Sequence, residues 1–466
     1  MPPQVALLIS TIFVAYAFRT DSKRSPGDKS GLFWPTLWYL VVASRPAGVW
    51  LAIWGVPLPT GGDATDGSII DRLFYGVLTV IGVKILAGKN FRWGPTLRAN
   101  PWLTALLVFM AASIMWSQYP LISFKRYVKV IGSLVMAFVV LANDNPLQAF
   151  CAVLRRCLYV HLPMSIICTR YYRHLGVSFD WNGTTEAWQG ISTSKNTLGQ
   201  IAMLGAVYFT WEIWRNRRRL GWKNLYLVYL LMALYLLKGA GAISMTSVSV
   251  TIFAMLVFFR IQSLRNRLPA VRGFVTRVFL ATSTLILFVV THSVVMFSED
   301  SFFGKMITTL GRDITLTDRT YIWHDVYAAC TNPILGIGFG GFWIGRTANI
   351  PWNAEMTWIL GQAHSGYIDT YLQLGFIGVG LLAASLISSL WKAMKTLERD
   401  FDFAAFRITL MLTIIYIDMT ESIYLRGDHH MWFLLMAITW NIAPIPRLRE
   451  NVTPTPPVLE DKMQFS

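Results

Sequence analysis

Apolar runs long enough to cross a membrane recur along the chain, separated by short polar segments. A crossing needs about 20 mainly apolar residues in helical form. Arg45 and Pro46 interrupt the second run and the first is short, so the pattern predicts twelve or thirteen crossings. Hydrocarbon offers no hydrogen bonds, so each crossing must satisfy its own backbone, which favours helices. The runs lie near residues 5–18, 35–54, 73–88, 101–117, 127–142, 148–168, 197–214, 224–237, 242–259, 275–296, 365–390, 404–419 and 431–444. The pattern predicts an all-α polytopic membrane protein.

Composition supports this interpretation. Hydrophobic residues make up 54% of the 466 positions and charged residues 14%, whereas soluble domains contain about 25% charged residues. The net charge of +16 would also suit a nucleic-acid-binding protein. The basic residues, however, fall in short blocks between apolar runs, where they are typical topology signals. We therefore expect membrane lipid, and no nucleic acid, around this protein.

Charge alternates between successive connecting segments. The positive-inside rule places the basic segments in the cytoplasm and the others outside. The basic set is 19–34, 88–100, 215–223, 260–277, 391–407 and the C-terminal tail, and the outer set is 55–71, 169–196, 297–363 and 420–430. We divide the chain into an N-terminal helix with a basic cytoplasmic loop (1–34), a membrane domain (35–444) with a large periplasmic loop (297–363), and a cytoplasmic tail (445–466). The tail is polar and rich in proline, which predicts disorder.

Two features leave alternatives open. Apolar residues 5–14 followed by "AYA" are similar to a signal peptide, but "MPPQ" carries no basic side chain, which favours an uncleaved helix or a re-entrant segment. The four cysteines lack metal-binding spacing. Three of them, Cys151, Cys157 and Cys168, lie in one apolar segment and are interpreted as core residues, with a Cys168–Cys330 disulfide as the alternative.

Basic side chains also occur in the outer segments, where the positive-inside rule predicts few of them. Those near predicted helix ends are Lys195, Arg312, Arg319, His364 and Arg426. Glu421 and Trp323 lie in the same set of segments. Arg45 interrupts an apolar run, and a charge inside the membrane is a functional candidate by default.

Each candidate also has a simpler interpretation. An arginine near the surface can snorkel to lipid phosphates, and Lys195 could anchor a helix at the interface. His364 could cap a helix or meet lipid headgroups. Trp323 and nearby aromatics could form an interfacial belt or stack on sugars. "GIGFGG" (336–341) is similar to a dinucleotide-binding turn, but it lacks the surrounding βαβ pattern.

Four motifs occur in the order "GISTSKNTLGQ" (190–200), "DRTYIWHDVYAACTNPILGIGFGGFW" (318–343), "AHSGYIDTYLQLGFIGVGLL" (363–382) and "TES" (420–422). In this order they resemble the bacterial O-antigen ligase and O-antigen or exopolysaccharide polymerase superfamily. "LWYLVVASRPAGVWL" and "MWSQYPLISFKRYVKVIGS" are similar to its exopolysaccharide branch. The resemblance spans about residues 35–440. Ser365 stands where Asn is commoner and Asp318 where Gly is usual, which leaves the acceptor open.

The resemblance implies a reaction on the periplasmic face of the bacterial inner membrane. Members take a glycan from an undecaprenyl diphosphate-linked donor and attach it to an acceptor. That acceptor is lipid A-core in ligases and another carrier-linked glycan in polymerases. Members resemble C-type glycosyltransferases in fold and work without a metal, and we expect no cofactor.

The resemblance also implies roles for individual residues. We expect Arg319 to clamp the diphosphate, because a guanidinium is planar and bidentate. Lys195, Arg312 and Arg45 would support it. His364 would act as the general base, Glu421 would orient it or bind a sugar hydroxyl, and Trp323 would contact the substrate.

Other functions remain possible at this stage. The exopolysaccharide-like segments favour a polymerase over a ligase. A polysaccharide flippase or transporter would tend to show paired halves with broken helices in matching positions, which the sequence does not display. A sensor or scaffold would not need arginine, lysine and histidine at one membrane face.

Overall fold

The computed structural model describes most of the chain outside the segment 297–363. The described residues are 1–24, 31–56, 68–179, 186–215, 220–240, 249, 252–254, 256–257, 323, 326–327, 329–344, 361–397 and 400–443.

The described structure is mostly helical, as the apolar runs predict. Its helices are α1 (Pro3–Arg24), α2 (Phe33–Ala43), α3 (Ala47–Ile53), α4 (Ile69–Gly88), α5 (Trp93–Ala99), α6 (Pro101–Ser113), α7 (Pro120–Leu141), α8 (Pro146–Tyr171), α9 (Arg173–Gly176), α10 (Lys195–Arg215), α11 (Leu220–Ala240), α12 (Gly366–Thr396), α13 (Phe401–Ile417) and α14 (His430–Thr439). A 3-10 turn, Ile114–Trp116, follows α6. The predicted run 275–296 and most of 242–259 lie outside the described residues.

The segment 169–196 contains a small β-hairpin. Strand β1 (Val177–Phe179) pairs antiparallel with β2 (Glu186–Trp188), with Val177 opposite Trp188. It lies in the segment 169–196 between α8 and α10. The all-α prediction therefore describes the membrane helices, while this outer segment contains two short strands.

Several described helices have the length and composition of membrane spans. Pro3–Ser22, Pro146–Tyr171 and Gly366–Thr396 qualify alone. Two bent pairs, α2 with α3 (73°) and α5 with the segment Pro101–Trp116 (105°), raise the number to five if each pair forms one span. The described helices thus form a multi-pass membrane protein, and the total of twelve or thirteen crossings stays a prediction.

Local sequence explains where several helices begin. Pro101, Pro120 and Pro146 occupy first-turn positions, where a missing N–H costs nothing. The Ser68 hydroxyl accepts a hydrogen bond from the Asp71 amide at 3.1 Å, and the Asp71 carboxylate accepts one from the Ser68 amide at 3.3 Å. This capping box fixes the start of α4.

Large buried side chains hold the helices together. Trp211 of α10 stacks on Phe406 of α13 with centroids 4.7 Å apart, and Tyr39 of α2 packs on Phe433 of α14 at 5.2 Å. A buried ion pair joins α1 to α8, where both carboxylate oxygens of Asp21 contact Arg155 and Arg156. All four cysteines are free thiols, so the Cys168–Cys330 disulfide is not formed.

Helix α12 is broken at Gly375, whose backbone has φ 62° and ψ −165°. The break frees backbone groups that a glycine-rich loop, residues 332–341, then satisfies. Its amides at 337 and 338 donate to the carbonyls of residues 372 and 373 at 3.0 and 2.9 Å. Its carbonyls at 333 and 334 accept from the amides of residues 376 and 377 at 2.8 and 3.3 Å. Irregular backbone at membrane depth is tolerated where protein satisfies its hydrogen bonds.

Candidate active site

A cavity of about 810 Å³ opens at the helix ends that the charge pattern assigns to the outer side. Its size is within the range of roughly 300–1,000 Å³ that is typical of ligand pockets. Its walls come from the bend between α2 and α3, the first turns of α4, α7, α10 and α12, the glycine-rich loop and the segment between α13 and α14. Two predicted site residues, His364 and Glu421, line it.

His364 stands just before α12 in an uncommon backbone conformation, with φ 51°. A non-glycine residue in this region costs roughly 1–3 kcal/mol, so surrounding contacts must hold it. Its Nδ1 lies 3.1 Å from Nε2 of Gln362, and its side chain is half-buried. The Gln362 contact therefore orients the ring, and His364 lines the cavity.

The residue before His364 is held from both sides. The Ala363 carbonyl accepts a hydrogen bond from Trp323 Nε1 at 2.9 Å. The Ala363 amide donates to Asp369 Oδ1 at 3.2 Å, and the same oxygen accepts from Trp343 Nε1 at 2.8 Å. These contacts supply the support that the strained conformation needs. Trp323 is buried and does not line the cavity, so the structure places it behind His364.

Gly366 joins the start of α12 to the segment after α13. Its amide donates to the carbonyls of Asp418 at 2.9 Å and Glu421 at 3.1 Å. A Cβ at this position would lie 2.0 Å from Asp418 Oδ2, so only glycine permits the approach. This packing brings Glu421 to the cavity that His364 lines.

Glu421 is buried and held by α10. Asn196 Nδ2 donates to its Oε1 at 2.7 Å. Asn196 lies next to Lys195 in the predicted "KNTLG" motif and lines the cavity. Lys195 is exposed and is not among the cavity-lining residues. Of these two neighbouring residues of the motif, the asparagine lines the cavity and the lysine does not.

Arg45 stands at the break between α2 and α3. Its guanidinium donates to backbone carbonyls of the segment 169–196. Nε donates to Ser192 at 3.2 Å and Nη2 to Gly190 at 3.5 Å. Nη2 also donates to the Leu175 carbonyl. The cavity is lined by its neighbours Ser44 and Pro46 and not by Arg45. Arg45 thus connects the break between α2 and α3 to the start of the "GISTSKN" motif through hydrogen bonds. Arg312 and Arg319 lie outside the described residues.

Three basic residues that were not assigned a role from the sequence line the cavity: Arg126, Lys129 and Arg426. Arg126 Nη1 donates to the Gly340 carbonyl at 2.8 Å. Lys129 Nζ lies 3.9 Å from Asp428 Oδ2, and Arg426 Nε lies 4.0 Å from Asp428 Oδ1. Burial would raise the pKa of Asp428, but Arg426 and Lys129 lower that pKa below its usual value.

The spacing of Arg126 and Lys129 is a signal that the sequence already contained. Residues three apart on a helix share a face, and both lie in the first turns of α7. Cations at these positions suit phosphate oxygens. The arrangement combines a histidine, a carboxylate and basic side chains in one open cavity.

His429 completes the wall beside Arg426. Burial and the Arg426 charge lower its pKa from 6.5 to about 3. Its Nδ1 accepts a hydrogen bond from the Met431 amide at 3.2 Å, which caps α14. A neutral ring is required for this cap, because the imidazolium has no acceptor nitrogen.

Comparison with known proteins agrees with this architecture. Residues 225–383, which include most of α11, the glycine-rich loop and His364, match the family model described as O-antigen ligase. The chain is also 24% identical over 363 residues to the exopolysaccharide production protein ExoQ of Rhizobium meliloti (strain 1021), covering 76% of this chain and 79% of that protein. The helical fold defines a multi-pass membrane protein. The two similarities support its assignment to the O-antigen ligase-related family.

Proposed function

We propose that this protein transfers a glycan from an undecaprenyl diphosphate-linked donor to a carrier-linked glycan acceptor, as a polymerase of exopolysaccharide biosynthesis. The observation that carries the proposal is the cavity, which brings His364 and Glu421 together with Arg126, Lys129 and Arg426. Similarity to an exopolysaccharide production protein supports the proposal of a polymerase over that of a ligase. We place the reaction on the periplasmic face of the inner membrane, in a C-type-like fold of twelve or thirteen spans.

In this proposal the acceptor hydroxyl attacks the anomeric carbon of the donor glycan. His364 takes the hydroxyl proton, the new glycosidic bond forms, and the bond between the sugar and the diphosphate breaks. The diphosphate leaves with both electrons of that bond. Its developing charge needs cations, and we assign this to Arg319, with the basic residues of the cavity and Arg312 in support. Lys195 and Arg45 act at the edge of the site in this scheme.

Glu421 and Trp323 act on the geometry of the site. Glu421, held by Asn196, orients His364 or binds a sugar hydroxyl. Trp323 fixes the backbone that presents His364. The scheme uses no metal, so chelators should leave transfer unchanged.

The test uses purified full-length protein with a synthetic carrier-linked donor. Losing a general base costs about 10²–10⁴-fold in rate, so His364→Ala should lower kcat by this amount while donor binding persists. His174→Ala is the matched control, because His174 is an exposed histidine of the outer segment, away from the cavity lining. Near-normal turnover in His364→Ala at equal expression would overturn the catalytic role.

A second candidate is an O-antigen ligase, which the description of the matching family model favours. The two candidates differ in their acceptor. Offering purified protein both lipid A-core and a carrier-linked glycan distinguishes them: a polymerase lengthens the carrier-linked chain, and a ligase labels lipid A-core.

The periplasmic placement has its own test. A cysteine introduced near Asn349 should react with a membrane-impermeant reagent without permeabilisation of the inner membrane. Labelling only after permeabilisation would remove the loop 297–363 from the periplasm and contradict the scheme.

A further inference from the structure

Two buried side chains on the cavity wall carry polar atoms that have no hydrogen-bond partner among the described residues. Gln200 of α10 and His430 at the start of α14 both line the cavity and are each 1% exposed. Within the described part of the chain, Gln200 Oε1 and both ring nitrogens of His430 have no partner. Buried polar groups are nearly always paired, so each exception requires an explanation.

Several other buried polar side chains in and near this site do have hydrogen-bond partners. Asp369 accepts from Trp343 at 2.8 Å, and Glu421 accepts from Asn196 at 2.7 Å. His161, also fully buried, lies 3.0 Å through Nε2 from both the Ala43 carbonyl and the Ser192 hydroxyl. The open atoms of Gln200 and His430 are therefore a local feature of the cavity wall.

The surrounding helices orient both side chains. Gln200 lies four residues after Asn196, so the two amides share one face of α10. The His430 ring stacks on the His429 ring with centroids 4.7 Å apart. The side-chain amide of Asn196 thus holds Glu421. The side-chain amide of Gln200, one turn further along α10, has an oxygen without a donor among the described residues.

The chemistry of the open atoms indicates their ligand. An amide oxygen accepts a hydrogen bond, and a neutral imidazole both donates and accepts one. This set matches sugar hydroxyls, which also donate and accept. Neither side chain carries the permanent charge that a diphosphate needs, and that charge is supplied elsewhere on the wall by Arg126, Lys129 and Arg426.

We propose that Gln200 and His430 form a sugar-hydroxyl subsite, which binds the uncharged glycan part of the substrate while the basic residues bind its diphosphate. This assignment rests on the proposed function. In it, the glycan and the diphosphate of the donor are bound by different residues of one cavity. It makes Gln200 and His430 determinants of glycan affinity.

The experiment separates the two parts of the substrate. Full-length protein in nanodiscs is titrated with two probes: a lipid-free, phosphate-free oligosaccharide of the repeat unit from the source organism's polysaccharide, and undecaprenyl diphosphate without sugar. One hydrogen bond between uncharged groups corresponds to about a threefold to tenfold change in affinity. Gln200→Met and His430→Phe should each weaken oligosaccharide binding by this factor and leave undecaprenyl diphosphate binding unchanged. The KM for the carrier-linked donor should rise with little change in kcat.

Matched controls are available on the same chain. Gln148→Met and His174→Phe change exposed residues of the same types outside the cavity and should bind both probes like the wild type. If His430→Phe does not accumulate, Gln200→Met with Gln200→Asn, which keeps the amide but shortens it, decides the question.

The outcomes are distinct. Unchanged oligosaccharide binding in the variants, or equal weakening for both probes, would overturn the subsite. A wild-type protein that binds the oligosaccharide through Gln200 and His430 but transfers no glycan would leave the subsite standing and refute the proposed transferase.

Discussion

Replacing Gly375 by alanine should loosen the glycine-rich loop from α12. An added Cβ would lie 2.2 Å from the Ile334 carbonyl oxygen and 2.6 Å from the Leu335 amide nitrogen, both of which are backbone atoms that cannot rotate away. The backbone at Gly375, with φ 62° and ψ −165°, also belongs to a region that is almost restricted to glycine. The substitution must therefore move either the loop or the helix.

The magnitude follows from two contributions. Backbone strain costs roughly 1–3 kcal/mol. Losing two of the four hydrogen bonds between the loop and the helix break adds about 1–3 kcal/mol. We expect the free energy of unfolding to fall by about 2–6 kcal/mol in total.

Gly380→Ala is the matched control for this prediction. Gly380 lies in the same helix with open space around its Cα, so alanine there should be neutral or stabilise the helix by up to about 1 kcal/mol.

Thermal unfolding in detergent measures the stability difference, and the reactivity of Cys330 reports on the loop. Cys330 is half-buried, with its thiol 3.7 Å from the Asn332 carbonyl. Release of the loop should raise its labelling rate in Gly375→Ala and not in Gly380→Ala. If Gly375→Ala unfolds like the wild type and Cys330 labels at the same rate, the described coupling between loop and helix break is wrong.

Three further predictions concern the site. Trp323→Phe removes the 2.9 Å hydrogen bond to the Ala363 carbonyl, so kcat should fall about threefold to tenfold with donor affinity unchanged; unchanged kcat would contradict the positioning role. Arg319→Lys keeps a charge but loses the bidentate fork and should abolish most transfer, whereas Arg219→Lys, in the basic segment 215–223, should be silent in the same assay. The lowered pKa of His429, about 3 instead of 6.5, means that the unfolded chain binds this proton more readily, so stability should fall as pH drops from about 6.5 towards 3. His429→Asn can keep the cap of α14 and should reduce the difference in Tm between about pH 7.5 and about pH 4.5; an equal difference in both proteins would contradict this contribution.

The family resemblance and much of the helical pattern could be predicted from the sequence because both depend on residues close together in the chain. The interruption predicted at Arg45 and Pro46 is a real bend between α2 and α3. The motif around His364 lies at the start of α12, and His364 lines the cavity. The outer segments that the charge pattern selected are the ones that supply the cavity wall between α13 and α14 and before α10.

The composition of the cavity could not be predicted in the same way. Asn196 meets Glu421 across 225 positions, and Arg126 meets Gly340 across 214. Nothing local distinguishes Asn196 from its neighbour Lys195, which carries the more conspicuous charge but is exposed. Arg45 and Trp323 were predicted to contact substrate, and only their backbone partners place them behind the cavity wall.

The sequence by itself therefore determined the membrane class and the course of the described helices. These features follow from hydropathy and charge, which are summed over neighbouring residues. The tertiary structure decided which polar atoms share the cavity and which are used to support it. Two side chains of the same type, such as His161 and His430, are both fully buried, and they differ only in whether the helices packed around them provide a hydrogen-bond partner.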